Sequence, residues 1–163
     1  MLKAVQLGSS GLRVSELCLG TMNFGIPGRG HQGDWTLTLD EAKPIVKAAI
    51  DHGLFYFDCA DIYGFGASEE VVGALLKELL PRDEYVLATK IAMPMGRGAN
   101  QGGLSRKHVR EGIDACLQRT GHDYIDHLVI HRHPHGIPNS ARTPIEETLE
   151  ALHDAVKAGK VLY

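Results

Sequence analysis

The sequence predicts an α/β fold with a parallel sheet, and three observations carry that expectation. Short apolar runs rich in Val, Ile, Phe or Tyr alternate four times with longer segments of helical periodicity. Strands separated by helices need crossover connections, so the sheet is parallel and its helices pack outside it. No Gly-rich turn joins the first strand to the first helix; Gly20 instead opens a long polar loop reaching Trp35. That absence favours a barrel over an open dinucleotide-binding sheet, although pattern alone does not separate the two.

A hairpin comes first, with strands at 3–7 and 12–14 around the GSSG turn at 8–11, placed to plug the bottom of a barrel. Sheet strands are expected at 16–20, 55–58, 85–90 and 125–131. The helices that follow have N-cap candidates at Thr38, Ser68, Ser105 and Thr143, and stop signals at Gly53, Pro81, Gly121 and Gly159. In the first helix Thr38 and Glu41 read as a capping box, which leaves Pro44 inside the helix and predicts a kink or a later start. The fourth helix has Thr143 as N-cap, Pro144 in its first turn and Glu146 closing a capping box. Its buried stripe is predicted to be Ile145, Leu149, Leu152 and Val156.

Val161, Leu162 and Tyr163 then read as the opening of a fifth strand. A complete eight-unit barrel takes about 250 residues, whereas these 163 residues hold four units. Because domains seldom end inside a strand, the chain reads as the N-terminal half of a (β/α)8 barrel, a single partial domain over 1–163 of a protein roughly twice as long.

Composition narrows the partners. A formal net charge of -3 supplies no global field for nucleic acid or an anionic membrane surface, and no apolar run approaches a bilayer span. The start MLKAVQ is too short and mixed for a signal peptide, so a cytoplasmic location is the default expectation. Cys18, Cys59 and Cys116 are odd in number and lack metal or redox spacing, which makes them reduced core residues.

Three polar residues close three successive strands: Asp58, Lys90 and His131. In a parallel sheet these positions share the C-terminal rim, where barrel enzymes build their sites. Tyr63 follows Asp58 by five residues, in a loop able to fold back over that rim. Together they suit carbonyl reduction, in which hydride reaches carbon and a proton must reach oxygen. Tyrosine, with an ordinary pKa near ~10, is a poor acid at neutral pH unless a neighbour stabilises its phenolate. Lys90 is that neighbour, Asp58 keeps Lys90 charged and oriented, and a neutral His131 donates a hydrogen bond to the carbonyl oxygen.

These stretches resemble the aldo-keto reductase family. FDCADIYG at 57–64 followed by GASEE at 66–70 and Gly73 is similar to its first signature, ATK at 88–90 to its lysine strand, YID at 124–126 leading to IHR at 130–132 to its histidine strand, and 143–159 to its fourth helix. The texture is most similar to bacterial aryl-alcohol dehydrogenase-like oxidoreductases. The resemblance implies a (β/α)8 barrel, NADP(H) as hydride carrier, a small carbonyl or alcohol substrate, Tyr63 as proton donor, and Asp58, Lys90 and His131 as its support. It also implies that Gly20, Thr21 and Met22 lie beneath the nicotinamide, with Asp58 beside them. HLV at 127–129 and the long loop from His133 to Arg142 depart from the family pattern and bear on pocket shape. The residues that grip the cofactor's adenosine phosphate belong to the family's second half, so this chain alone is expected to be a weak or inactive reductase.

Two other readings compete. One is a non-catalytic binding subunit, as in family members that accompany channels. The other is a metal-dependent barrel hydrolase using His131, His133 and His135, against which Pro134 and the lack of suitably spaced carboxylates weigh. Half a barrel leaves unpaired strand edges, so self-association is expected.

Overall fold

The structure is a computed structural model that describes residues 2–132 and 142–163. Its first element is an antiparallel hairpin, β1 (Ala4–Gln6) with β2 (Arg13–Ser15), in which Val5 faces Val14. Ser15 Oγ accepts from the Phe55 N–H at 3.2 Å, and the Leu2 N–H bonds the His52 carbonyl at 2.9 Å. The hairpin therefore closes the N-terminal end of the sheet, as its position in the sequence implied.

The main sheet is parallel in the order β3 (Leu19–Gly20), β4 (Tyr56–Asp58), β5 (Val86–Ile91) and β6 (His127–Ile130). These strands are shorter than the sequence suggested at 16–20 and 125–131. Lys90 is followed by one more strand residue, and His131 lies one beyond β6, although its N–H still bonds the Ile91 carbonyl at 3.0 Å. Val161 bridges Ile125 in parallel, and the Tyr163 N–H bonds the Asp126 carbonyl at 2.9 Å, so the last residues do begin another strand beside β6.

Four helices cover one face: α1 (Leu39–Asp51), α2 (Ala67–Leu79), α3 (Arg106–Thr120) and α4 (Ile145–Lys157). This is half of a (β/α)8 barrel. In α1 the Glu41 carboxylate accepts from both the N–H and the hydroxyl of Thr38, at 2.8 and 2.7 Å. That cap starts the helix at Leu39, and the helix runs through Pro44 rather than starting later. Pro44 costs one bond, to the Asp40 carbonyl. Ser105 caps α3 by accepting from the His108 N–H at 3.3 Å, and Gly121 ends it with φ 68°.

Two expected caps are corrected. Gly66, with φ 90°, precedes α2, while Ser68 is buried in the first turn, where its hydroxyl donates to the Thr21 carbonyl at 2.8 Å. Pro144 takes the N-cap position of α4, one residue after the expected Thr143. The buried stripe of α4 is also corrected. Thr148, Ala151 and Ala155 face the core, Leu152 packs at its margin, and Ile145, Leu149 and Val156 are 49%, 54% and 44% exposed. Small side chains let the helix lie close to α3 and the sheet, where the Thr148 hydroxyl donates to the Leu104 carbonyl at 2.8 Å. The larger residues are left on the flank.

The core lies between sheet and helices. Phe57 and Leu87 alternate onto the helix-facing side, packing with Val46, Val72, Leu75 and Leu76. That alternation turns Tyr56, Asp58, Lys90 and His127 to the opposite face, which lines the barrel interior.

Candidate active site

Asp58 ends β4 and Lys90 sits near the end of the adjacent β5, in register two residues past Asp58's partner Ala88. The Lys90 ammonium donates to Asp58 Oδ2 at 2.6 Å, to the Cys59 carbonyl at 2.8 Å and to the Tyr63 hydroxyl at 3.2 Å. Three donors meet three acceptors, so the head group is held in one orientation. Burial works against its charge, but the bonds to Asp58 and Tyr63 outweigh that penalty and hold its pKa above the ordinary lysine value.

Tyr63 is delivered by the turn after β4. Its N–H bonds the Ala60 carbonyl at 3.2 Å, and the chain then passes through left-handed conformations at Gly64 (φ 58°), Phe65 (φ 47°) and Gly66. A non-glycine residue at positive φ is strained. Arg29 holds it in place, donating to the Phe65 carbonyl at 2.9 Å and to both oxygens of Glu70 at 2.9 and 3.1 Å.

His131 presents its ring edge-on to Tyr63, with centroids 5.7 Å apart and planes at 87°. Burial, then the Lys90 charge, pushes the His131 pKa below its ordinary value, which favours the neutral imidazole at pH 7. Its Nδ1 is buried without a hydrogen-bond partner among the described residues. The four predicted side chains thus converge on one rim.

The three residues expected beneath a nicotinamide are placed differently from one another. Gly20 and Met22 are exposed at the same rim, and a Cβ at Gly20 would meet nothing within 4 Å. Thr21 is fully buried, its hydroxyl bonded to the Asp58 carbonyl at 3.0 Å and to Ser68 Oγ at 2.9 Å, so it joins β3 to α2 rather than facing a ligand. His133 and His135 lie outside the described residues. A hollow of about 670 Å³ at the start of α3 is lined by none of these groups, and Arg106, Lys107 and Glu111 in its wall are each held in ion pairs.

Several supporting residues were not singled out by the sequence. Behind Lys90, on the helix-facing side of β5, Thr89 donates to the fully buried Glu69 at 2.5 Å, and Glu69 also pairs with Arg119 of α3 at 2.5 Å. On the interior face, one layer below the rim, the Tyr56 hydroxyl meets His127 Nδ1 at 2.8 Å. Cys59, which the sequence did single out as a core thiol, is buried and donates to the Ala88 carbonyl at 3.1 Å. Asp61 is buried within the turn that delivers Tyr63.

Comparison with known proteins agrees with this arrangement. The chain is 39% identical to versiconal hemiacetal acetate reductase of Aspergillus parasiticus, over 97% of this chain and 48% of that protein. It is 41% identical to a probable voltage-gated potassium channel subunit beta of Arabidopsis thaliana, over 96% and 44%. Among solved structures, a thermostable aldo-keto reductase in complex with the inhibitor epalrestat superposes with a TM-score of 0.76 at 28% identity, covering 99% of this chain and 52% of the other. The chain therefore spans about half the length of the relatives it matches. The model of the Aldo/keto reductase family matches residues 16–163, and with the half-barrel and its rim of Asp58, Tyr63, Lys90 and His131 this places the chain in that family.

Proposed function

We propose that this chain carries the proton-transfer side of a carbonyl reductase that takes NADP(H) as cofactor and a small aldehyde, ketone or alcohol as substrate. One observation carries the reading: the Tyr63 oxygen accepts from the Lys90 ammonium at 3.2 Å. With its oxygen used as acceptor, the phenol O–H is free to point outward over the rim. As the proton leaves, negative charge develops on an oxygen already facing a cation that Asp58 fixes in place. A neutral His131 at the edge of the Tyr63 ring is placed to donate to the same carbonyl oxygen and so orient the substrate. The open space at Gly20 and the exposed Met22 fit a flat ring lying against β3, and a bound nicotinamide would supply the hydride. The basic grip on the adenosine phosphate is expected from the portion of the fold that lies outside these residues.

Aldehyde-dependent oxidation of NADPH by the full-length protein tests the reading. Turnover that falls on the order of 10²–10⁴ in Tyr63→Phe supports it, the range expected for loss of a general acid. Turnover that is unchanged in this variant overturns it. A second reading, a binding subunit that performs no chemistry, draws support from the 41% identity to a potassium channel subunit. It takes precedence if NADPH binds tightly, by quenching of Trp35 fluorescence, while no carbonyl substrate is turned over.

A further inference from the structure

We propose that Asp61 is a positioning residue for the Tyr63–Lys90 pair: its buried carboxylate joins the turn carrying Tyr63 to the end of the strand carrying Lys90, and the joint tightens or relaxes with the proton on that carboxylate. The assignment rests on the reading of Tyr63 as proton donor.

Asp61 is 1% exposed and has contacts on both sides. Its own N–H donates to the Lys90 carbonyl at 3.0 Å, which ties the turn to β5. Its Oδ1 accepts from the Ile62 N–H at 2.6 Å, immediately before Tyr63. The Ala92 N–H, two residues after Lys90, adds a weaker favourable contact. Ala92 itself stands at φ 131°, a backbone conformation that L-residues rarely adopt. Oδ2 has no hydrogen-bond partner among the described residues and is the atom on which a proton would sit.

The surroundings make that proton available near neutrality. Burial, then the neighbouring Glu69 of α2, pushes the Asp61 pKa up to about 7, with the Ile62 amide, Arg119 of α3 and the Ala92 amide pulling the other way. The Cys116 thiol of α3 also faces this group. Asp61 and Arg119 line a hollow of about 200 Å³ together with His108 and Glu111 of α3. As pH rises through 7 the carboxylate gains charge, and a charged acceptor binds the Ile62 and Ala92 amides more strongly than a neutral one. The turn and the strand end are then drawn together, and the Tyr63 hydroxyl is held against Lys90. A neutral carboxyl relaxes the same contacts.

The experiment observes the phenol directly, so it does not depend on turnover. The protein is labelled with 13C at tyrosine Cζ and aspartate Cγ, and the Tyr63 signal is assigned with Tyr63→Phe. Wild type is expected to show a step in the Tyr63 signal near pH 7 with the same midpoint as the Asp61 carboxyl. Asp61→Asn should abolish the step, and His131→Gln, which removes the other titrating group against the Tyr63 ring, should retain it. The proposal is overturned by a Tyr63 signal that stays flat while Asp61 titrates, by a step that persists in folded Asp61→Asn, or by a step lost in His131→Gln. Should Asp61→Asn not fold, the coincidence or separation of the two wild-type midpoints decides. A failed reductase assay together with matched midpoints would retire the proton-donor role and leave the joint intact.

Discussion

The Lys90 ammonium has three protons, and the carboxylate, a backbone carbonyl and the phenol each take one. Such a group and its phenol work as one device, so their losses should not add. Lys90→Met and Tyr63→Phe are each expected to lower kcat on the order of 10²–10⁴, with the double variant little worse than the weaker single one. Steady-state NADPH oxidation by the three variants of the full-length protein checks this, and a fully multiplicative loss would mean that the two act separately. Asp58, Lys90 and His131 were legible because strand periodicity put them at one end of a parallel sheet, and Tyr63 because its turn resembles a family signature. The pairing of Glu69 with Arg119 was not, because the partners stand 50 positions apart and no local spacing encodes their meeting. Thr21 misled for a related reason. Its position at the rim was readable, but the engagement of its hydroxyl by Ser68 depends on how α2 docks.

Helix docking also explains the glycine in the middle of α2. A Cβ at Gly73 would overlap the backbone of Thr120, the last residue of α3, so the two helices touch through bare backbone there. Gly73→Ala gains helix propensity but must push α3 away. It is expected to cost about 1–3 kcal/mol, as overpacking does, read as a lower urea midpoint. At α4 periodicity identified an amphipathic helix but not which stripe would be covered, because hydrophobicity ranks Leu149 above Ala151 while close packing favours the smaller side chain. We propose self-association through the exposed apolar stripe of Ile145, Leu149 and Val156. Leu149→Lys should leave the unfolding midpoint nearly unchanged, within about 0.5 kcal/mol as for other surface changes, and reduce the mass seen by light scattering. An unchanged mass would direct attention to the sheet edges instead.

Across the whole molecule, burial sets the pH response. His108, His122, His127 and His131 all have pKa values held down, first by burial. Each takes its proton more readily in the unfolded chain, so each contributes stability above about pH 6.5 that is lost as pH falls. Asp61 has the opposite sign. Its folded pKa is raised to about 7, so its contribution is present below the ordinary carboxylate pKa and fades as pH climbs to 7. Between pH 7 and pH 5 the four histidines and Asp61 therefore act on Tm in opposite directions. Asp61→Asn, which removes the opposing group, should gain Tm relative to wild type at pH 8 more than at pH 5. Equal differences at both values would show that Asp61 does not titrate in this range.

The sulfur chemistry of the same molecule has a practical side. Aldehydes trap thiolates as hemithioacetals, and Cys59 is the immediate neighbour of Asp58. Its burial and its bond to the Ala88 carbonyl keep it a thiol, with its pKa well above the usual value. Cys116 is likewise raised by burial, whereas Cys18, expected from the sequence to lie in the core, is exposed. Buried thiols of this kind resist the electrophiles and oxidants that attack thiolates. Intact mass after incubation with iodoacetamide at neutral pH should therefore show at most one adduct, at the exposed Cys18.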